Sequence, residues 1–105
     1  MLNQLYQVIS QRKKEPQEGS YTCYLFDQGV DKILKKIGEE TAETIIAAKN
    51  DDHEEISNEV CDLLYHLTVL LVEKGIPMEQ VDVILAERSA KIGNLKTMKQ
   101  TDKNT

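Results

Sequence analysis

The chain has 105 residues, a length that fits one domain, and a formal net charge of −5. This acidic balance excludes the basic face that nucleic-acid binding needs, and no apolar run is long enough to span a membrane. Because the first ten residues lack the features of a signal peptide, we expect a cytoplasmic protein whose two cysteines, Cys23 and Cys61, are reduced thiols.

The N-terminal part of the chain predicts one helix followed by a long connection. Helical spacing of apolar residues indicates a short amphipathic helix that carries Leu2, Leu5, Tyr6 and Ile9. Charges, Pro16 and Gly19 then interrupt the pattern. We interpret residues 12–26 as a connection whose second half is ordered and packs on the domain. Tyr21 and Tyr24 are interpreted as core aromatics, with stacking on a nucleotide base as the less favoured alternative.

Two long amphipathic helices are predicted next, over residues 29–50 and 53–74. Asn50 is expected to adopt the left-handed conformation that ends a helix, and Asp51 or Asp52 to cap the following one. Because the connection between them is so short, the two helices should be antiparallel neighbours.

The remainder of the chain predicts one more helix and a tail. Gly75 should end the third helix, and Pro77 is tolerated in the first turn of a fourth, whose apolar residues extend from Val81 to Ile92. No segment has the period of a strand. The sequence therefore predicts an all-α bundle of four to five helices over residues 1–92 and a polar, flexible tail over residues 93–105.

Two acidic clusters lie on the two long predicted helices. Glu39, Glu40 and Glu43 read E-E-x-x-E, and Glu59 and Asp62 read E-x-x-D. Carboxylates three or four residues apart project from one face of a helix, so pairing of these helices would gather four or five of them around one small volume. Such a set needs a cation, and its all-oxygen character suits Mg²⁺, with Mn²⁺ as a substitute. A caged Mg²⁺ indicates chemistry on phosphates.

Basic residues near the clusters have two interpretations. Lys32, Lys35 and Lys36 precede the glutamates by one to two turns, so they either pair with them or bind phosphate oxygens. His66, one turn past Asp62, is expected to be packed rather than to bind metal. An acidic helix face is usually only solvated surface, but here the carboxylates border the apolar stripe on both helices, which favours a site.

These residues also resemble a known family. The E-E-x-x-E and E-x-x-D motifs are similar to the signature of the all-α NTP pyrophosphohydrolases, a superfamily that includes the MazG proteins and the dimeric dUTPases. One branch, phosphoribosyl-ATP pyrophosphohydrolase, matches more closely over about residues 5–88. Its flanking strings are S-Y-T at 20–22, K-K-I-G-E-E at 35–40, A-A-K at 47–49 and D-L-L-Y-H-L at 62–67.

The resemblance implies the second step of histidine biosynthesis, the Mg²⁺-dependent hydrolysis of phosphoribosyl-ATP to phosphoribosyl-AMP and pyrophosphate. It implies a homodimer or higher homo-oligomer. The family's activity is often fused to a cyclohydrolase domain, and because this chain lacks the length and the Cys and His content for one, we expect the unfused form. It places metal ligands at Glu40, Glu43, Glu59 and Asp62. It assigns catalysis to Glu39, Glu40 and Glu43, with Glu39 binding metal through water or orienting the attacking water. Phosphate contacts would come from Lys32, Lys36 and Lys49.

Two other interpretations stay open. One is a general nucleoside triphosphate pyrophosphohydrolase of the same superfamily, which a comparison of phosphoribosyl-ATP with ATP and deoxynucleotides as substrates would identify. The other is a non-catalytic helical interaction module whose acidic patch only keeps it in solution. Such a module would show no saturable, carboxylate-dependent Mg²⁺ binding.

Overall fold

Residues 1–91 are described in a computed structural model of the chain. They form five helices and no strand: α1 (Leu2–Lys14), α2 (Tyr21–Gln28), α3 (Val30–Lys49), α4 (His53–Glu73) and α5 (Met78–Ser89). The prediction of an all-α bundle is confirmed, while Ile92 and the predicted tail, residues 93–105, lie outside the described residues. No helix within residues 1–91 combines the length and apolar character of a membrane span.

The predicted connection over residues 12–26 contains a helix that the sequence analysis missed. Ser20 caps α2, because its hydroxyl accepts a hydrogen bond from the Cys23 backbone N–H at 3.2 Å. Gly29, at φ 90°, ends α2 and leads directly into α3. With only eight residues, α2 is too short to show a helical period, so the cap residue was the usable signal.

The turn between α3 and α4 differs from the prediction by one residue. Asn50 keeps right-handed helical angles, and Asp51 takes the positive φ of 52° instead. Asp tolerates this conformation because its short side chain can bond locally. Asp52 caps α4 as predicted, since its carboxylate accepts from the Glu55 backbone N–H at 3.1 Å. The tight turn makes α3 and α4 antiparallel neighbours, the most extensive helix pairing in the described fold.

The core lies between the first four helices. Each contributes a side chain that is 1% exposed or less: Ile9 from α1, Leu25 from α2, Ile33 from α3 and Val69 from α4. An ion pair of 3.0 Å between Lys13 and Glu73 also joins α1 to α4 at the surface. By contrast α5 buries Met78 and packs mainly on α1. The core therefore fixes α3 and α4 against a platform formed by α1 and α2.

Ile9 and Val8 provide a matched test of this core, because they are neighbours on α1 that are 1% and 53% exposed. Ile9→Ala should lower the free energy of unfolding by about 2 to 5 kcal/mol through lost burial and a residual cavity. Val8→Ala should change it by less than about 0.5 kcal/mol. Urea denaturation followed by circular dichroism measures both, and equal effects of the two substitutions would contradict the described packing.

Candidate active site

Three carboxylates from α3 and α4 converge at the middle of the helix pair. One oxygen each of Glu40, Glu43 and Glu59 lies within 4.8 Å of the others. Glu40 and Glu43 share a face of α3 because they are three residues apart, and the antiparallel α4 brings Glu59 opposite them. The convergence of glutamates from both acidic motifs, which the sequence predicts, is therefore present in the structure.

Two of these carboxylates are buried, and each has one oxygen without a partner. Glu40 is 6% and Glu59 8% exposed, and the Oε2 atom of each has no hydrogen-bond partner among the described residues. A buried carboxylate oxygen without a partner is strongly unfavourable. A hard cation would supply the missing partner, since carboxylate oxygens are the ligands that Mg²⁺ and Ca²⁺ prefer. The three side chains thus fit a divalent metal ion.

The proximity of these groups changes their protonation. The closeness of Glu43, Glu55 and Glu40, which can accept hydrogen bonds from a protonated Glu59, raises the pKa of Glu59 from its usual 4.5 to about 8, and burial adds to the rise. The metal-free cluster therefore retains a proton at neutral pH. Glu55 is an addition to the predicted set of site residues. Its spacing of four residues from Glu59 was the available signal.

A cavity of about 380 Å³ adjoins the carboxylates. It lies where α3 ends and α4 begins, and its lining includes Glu43, Asn50, Asp52, Glu55 and Glu59. Oxygen atoms thus dominate its polar surface. The cluster consequently faces open space large enough for several waters or a phosphate group that arrives with its cation.

Two acidic residues of the predicted set lie outside this convergence. Asp62 is exposed one turn after Glu59 and is not among the three carboxylates that approach within 4.8 Å. Glu39 is turned towards the lysines, at 3.2 Å from Lys36 Nζ and 3.9 Å from Lys35 Nζ. The structure therefore brings Glu40, Glu43 and Glu59 together, and it places Glu39 and Asp62 at their border.

The predicted phosphate-binding lysines occupy three different positions. Lys36 Nζ lies 3.6 Å from Glu40 Oε1, directly beside the cluster, and its hydrogen bond to Glu39 raises the pKa of this ammonium group. Lys32 Nζ lies 5.8 Å from the centroid of the Tyr24 ring. Lys49 is exposed in the last turn of α3 and forms no ion pair within residues 1–91.

His66 joins α2 to α4 beside the carboxylates. It is 4% exposed, so the expectation that it is packed is confirmed. Its Nδ1 lies 2.7 Å from the Asp62 carbonyl oxygen, which can only accept, so Nδ1 carries a proton. In the neutral ring Nε2 then accepts from the Tyr21 hydroxyl at 2.9 Å. Thr22 and Tyr65 form a second hydrogen bond between the same two helices.

Tyr21 and Tyr24 are not the core aromatics that the sequence analysis favoured. They are 45% and 43% exposed, and their rings stack with centroids 6.0 Å apart. The pair stays at the surface because the buried face of this short helix is filled by Leu25. Burial of its hydroxyl end raises the pKa of Tyr21, and the nearby Lys36 ammonium opposes that rise. Tyr21 therefore extends from the aromatic surface to the charged groups of the site.

Comparison with known proteins agrees with this geometry. The family model described as phosphoribosyl-ATP pyrophosphohydrolase matches residues 2–89. A protein named phosphoribosyl-ATP pyrophosphatase from Streptococcus gordonii is 59% identical over 91 residues, which cover 87% of this chain and 88% of the relative. A protein of the same name from Clostridium botulinum is 52% identical, with an alignment that covers 96% of this chain and 92% of the relative. Another from Listeria welshimeri is 53% identical, with 97% of this chain and 98% of the relative covered.

The matched region contains every helix that builds the cluster. It also contains the strings that resembled this branch in the sequence. A family match across nearly the whole described chain, together with relatives that cover almost all of it, decides the assignment. The chain belongs to the phosphoribosyl-ATP pyrophosphohydrolase family.

Proposed function

We propose that this protein hydrolyses phosphoribosyl-ATP to phosphoribosyl-AMP and pyrophosphate, the second step of histidine biosynthesis, with Mg²⁺ as its cofactor. The observation that supports this most strongly is the meeting of Glu40, Glu43 and Glu59 with two unpartnered buried oxygens. Water attacks the α-phosphorus, the bond between the α-phosphorus and the oxygen bridging to the β-phosphate breaks, and pyrophosphate leaves with that oxygen. The direct test is release of pyrophosphate from phosphoribosyl-ATP with and without Mg²⁺.

The carboxylates would hold the cation, with Asp62 completing the set from its exposed position on α4. Bound there, Mg²⁺ would neutralise phosphate charge and acidify a water molecule for the attack. Glu39, which is 41% exposed at the border of the cluster, would accept a hydrogen bond from the attacking water and orient it. Asp62 and Glu39 thus act from the rim of the site that the other three carboxylates form.

Lys36 is the best placed of the lysines for phosphate binding. Its ammonium lies between Glu39 and Glu40, at 3.2 and 3.6 Å. When a triphosphate arrives, this cation can exchange a carboxylate partner for a phosphate oxygen and stabilise the charge that develops on the leaving pyrophosphate. Lys32 and Lys49 would act farther from the reacting phosphorus, on other phosphates of the substrate.

The general nucleoside triphosphate pyrophosphohydrolase and the non-catalytic module are less well supported. A family match over residues 2–89 favours the specific substrate over a plain nucleotide. A patch that only solubilises the protein does not explain why Glu40 and Glu59 are buried. Phosphoribosyl-ATP should therefore be turned over well above ATP or dATP, and a preference for plain nucleotides would point to the general enzyme.

We further propose that two copies of the chain pair through α3 and α4. Both helices expose apolar side chains on the surface away from the core: Leu34, Ile45, Val60, Leu64 and Leu67, each between 37% and 59% exposed. Gly38 shares the stripe of Leu34 and Ile45 at about 100° per residue. A Cβ at Gly38 would meet nothing within 4 Å, so this chain alone gives no packing reason for a glycine there. Close approach of a second helix supplies one.

Neutralising one ligand should separate catalysis from folding. Glu43→Gln removes a charge from the cluster without changing its shape, so turnover of phosphoribosyl-ATP at saturating Mg²⁺ should fall at least about 100-fold. The fold should be retained, because repulsion within the metal-free cluster decreases. Glu87→Gln, an exposed change on α5, is the matched control and should keep full activity. Turnover of the Glu43 variant near that of the parent would contradict its assignment as a ligand.

The metal-free protein should lose stability as the pH rises. The pKa of Glu59 is about 8 in the folded state against a usual 4.5, so between these values the unfolded chain has released a proton that the folded chain still holds. Folding is then linked to proton uptake, and the melting temperature in a chelator should fall from about pH 5 to about pH 9. Glu59→Gln should flatten that slope and Glu79→Gln should not, which thermal melts across this range measure.

A charge at the centre of the exposed stripe should prevent pairing. Leu64→Asp would bury an unpaired carboxylate between the copies and weaken association by at least about 30-fold. Val8→Asp, at an exposed apolar position on α1, should leave association unchanged. Sedimentation velocity at micromolar concentration distinguishes the two. A parent protein that sediments as a monomer would refute the proposed pair.

A further inference from the structure

The stacked pair Tyr21–Tyr24 borders a surface cavity lined by acidic side chains that have no role in the proposed hydrolysis. The cavity has a volume of about 550 Å³, within the usual range for small-molecule sites. Its lining includes both tyrosines together with the carboxylates of Glu18 and Asp27. No lysine or arginine of the described residues lines it. The cavity therefore combines exposed aromatic rings with negative charge, a combination that favours a flat organic cation.

The hydroxyl end of the aromatic pair lies close enough to the carboxylate cluster to feel the charges of Lys36 and Glu40. The Tyr21 hydroxyl is held by His66 at 2.9 Å, and the Lys36 ammonium that influences Tyr21 lies 3.6 Å from Glu40 Oε1. In a nucleotide only a ribose separates the base from the α-phosphate. A nucleotide whose phosphate binds at the carboxylate cluster can therefore direct its base towards the tyrosines.

The substrate's base has the matching chemistry. In phosphoribosyl-ATP the second ribose is attached to N1 of the adenine. Alkylation at N1 makes the ring a much stronger base than free adenine, so it carries a proton and a positive charge near neutral pH. ATP has the same ring without that charge. A site with tyrosine faces and carboxylates would thus distinguish the two substrates by charge as well as by shape.

We propose that the Tyr21–Tyr24 surface, flanked by Glu18 and Asp27, binds the cationic N1-alkylated adenine and sets the preference for phosphoribosyl-ATP over ATP. This assignment rests on the proposed function, because it names the subsite for the base of that substrate. Lys32 already demonstrates that the Tyr24 ring accepts a cation at 5.8 Å from its centroid. The same ammonium is available to the phosphate on the second ribose.

The proposal is tested by binding of two nucleotides that differ in an N1 methyl group and in the positive charge that this group gives the base. The probes are 1-methyladenosine 5′-monophosphate and AMP, titrated calorimetrically into the full-length protein with Mg²⁺ at neutral pH. The methylated nucleotide should bind roughly 2- to 30-fold more tightly, the range of a cation on an aromatic face. Equal affinity of the parent protein for both would overturn the proposal.

Substitutions assign the preference to this surface. Glu18→Gln and Asp27→Asn should each weaken binding of the methylated nucleotide by about two- to fivefold and leave AMP unchanged. Glu79→Gln and Asp82→Asn are matched controls, since these carboxylates line a cavity of about 370 Å³ beside Tyr6. The controls should alter neither affinity. A preference that survives both Glu18→Gln and Asp27→Asn would refute the assignment.

A second pair of variants tests the ring itself. Tyr24→Phe keeps the aromatic face and should keep the preference, whereas Tyr24→Leu should reduce it by roughly 2- to 30-fold. Equal behaviour of the two variants would refute stacking. Hydrolysis of phosphoribosyl-ATP by the parent protein is measured alongside. If the parent hydrolyses it but these variants retain the parent's preference, the subsite is wrong and the function stands; if the parent fails to hydrolyse it, the function itself is wrong.

Discussion

The arrangement of the site depends on overcoming the repulsion among three carboxylates that lie within 4.8 Å of one another. Two of them are largely buried, so water cannot screen them well. Such an arrangement persists only if the backbone that carries it is rigid. The tight turn at Asp51 and Asp52, and the core that α1 and α2 form behind the α3–α4 pair, supply this rigidity. The remaining polar contacts of the site can be understood as ways to hold or balance that charge.

Two contacts at the border of the site illustrate this balance. Lys36 offsets the charge of Glu39 and Glu40 from within the same helix. On the other side, the Asp62 carbonyl, His66 and Tyr21 form a hydrogen-bonded series that ties α2 to α4. Because these residues orient one another, the position of the aromatic surface is linked to the helix that carries Glu59. The aromatic surface and the carboxylate cluster are consequently both tied to α4.

Much of this arrangement could be predicted from the sequence, and the reasons are physical. The lengths of α3 and α4 follow from long periodic patterns, and their pairing follows from a connection too short to allow any other neighbour. Helical spacing alone then places Glu40, Glu43 and Glu59 together. The predictions that were wrong concern local backbone conformation, at one turn and in one short helix. Whether Asn50 or Asp51 takes the left-handed angles is a small energetic difference, and an eight-residue helix such as α2 leaves almost no periodic signal.

The exposure of Tyr21 was harder to predict, because an aromatic residue is usually buried and nothing local identifies the exception. Its partner His66 lies 45 residues away, so only the packed structure reveals the hydrogen bond between them. The position of Glu55 could be predicted only in part. Its spacing of four residues from Glu59 is visible in the sequence, but its closeness to Glu43 depends on the register between α3 and α4.

The antiparallel pairing of α3 and α4 also restricts how the chain can change in length. Glu43 and Glu59 face each other because each lies a fixed number of residues from the turn. Inserting one residue within α3 after Glu43, or within α4 before Glu59, would rotate that carboxylate by about 100° around its helix. An insertion between Lys14 and Ser20 would alter the segment that leads into α2, which includes Glu18, but would leave Glu43 and Glu59 in register. Length variation compatible with the carboxylate cluster should therefore be confined to such connections and absent from the helical segments on either side of Asp51.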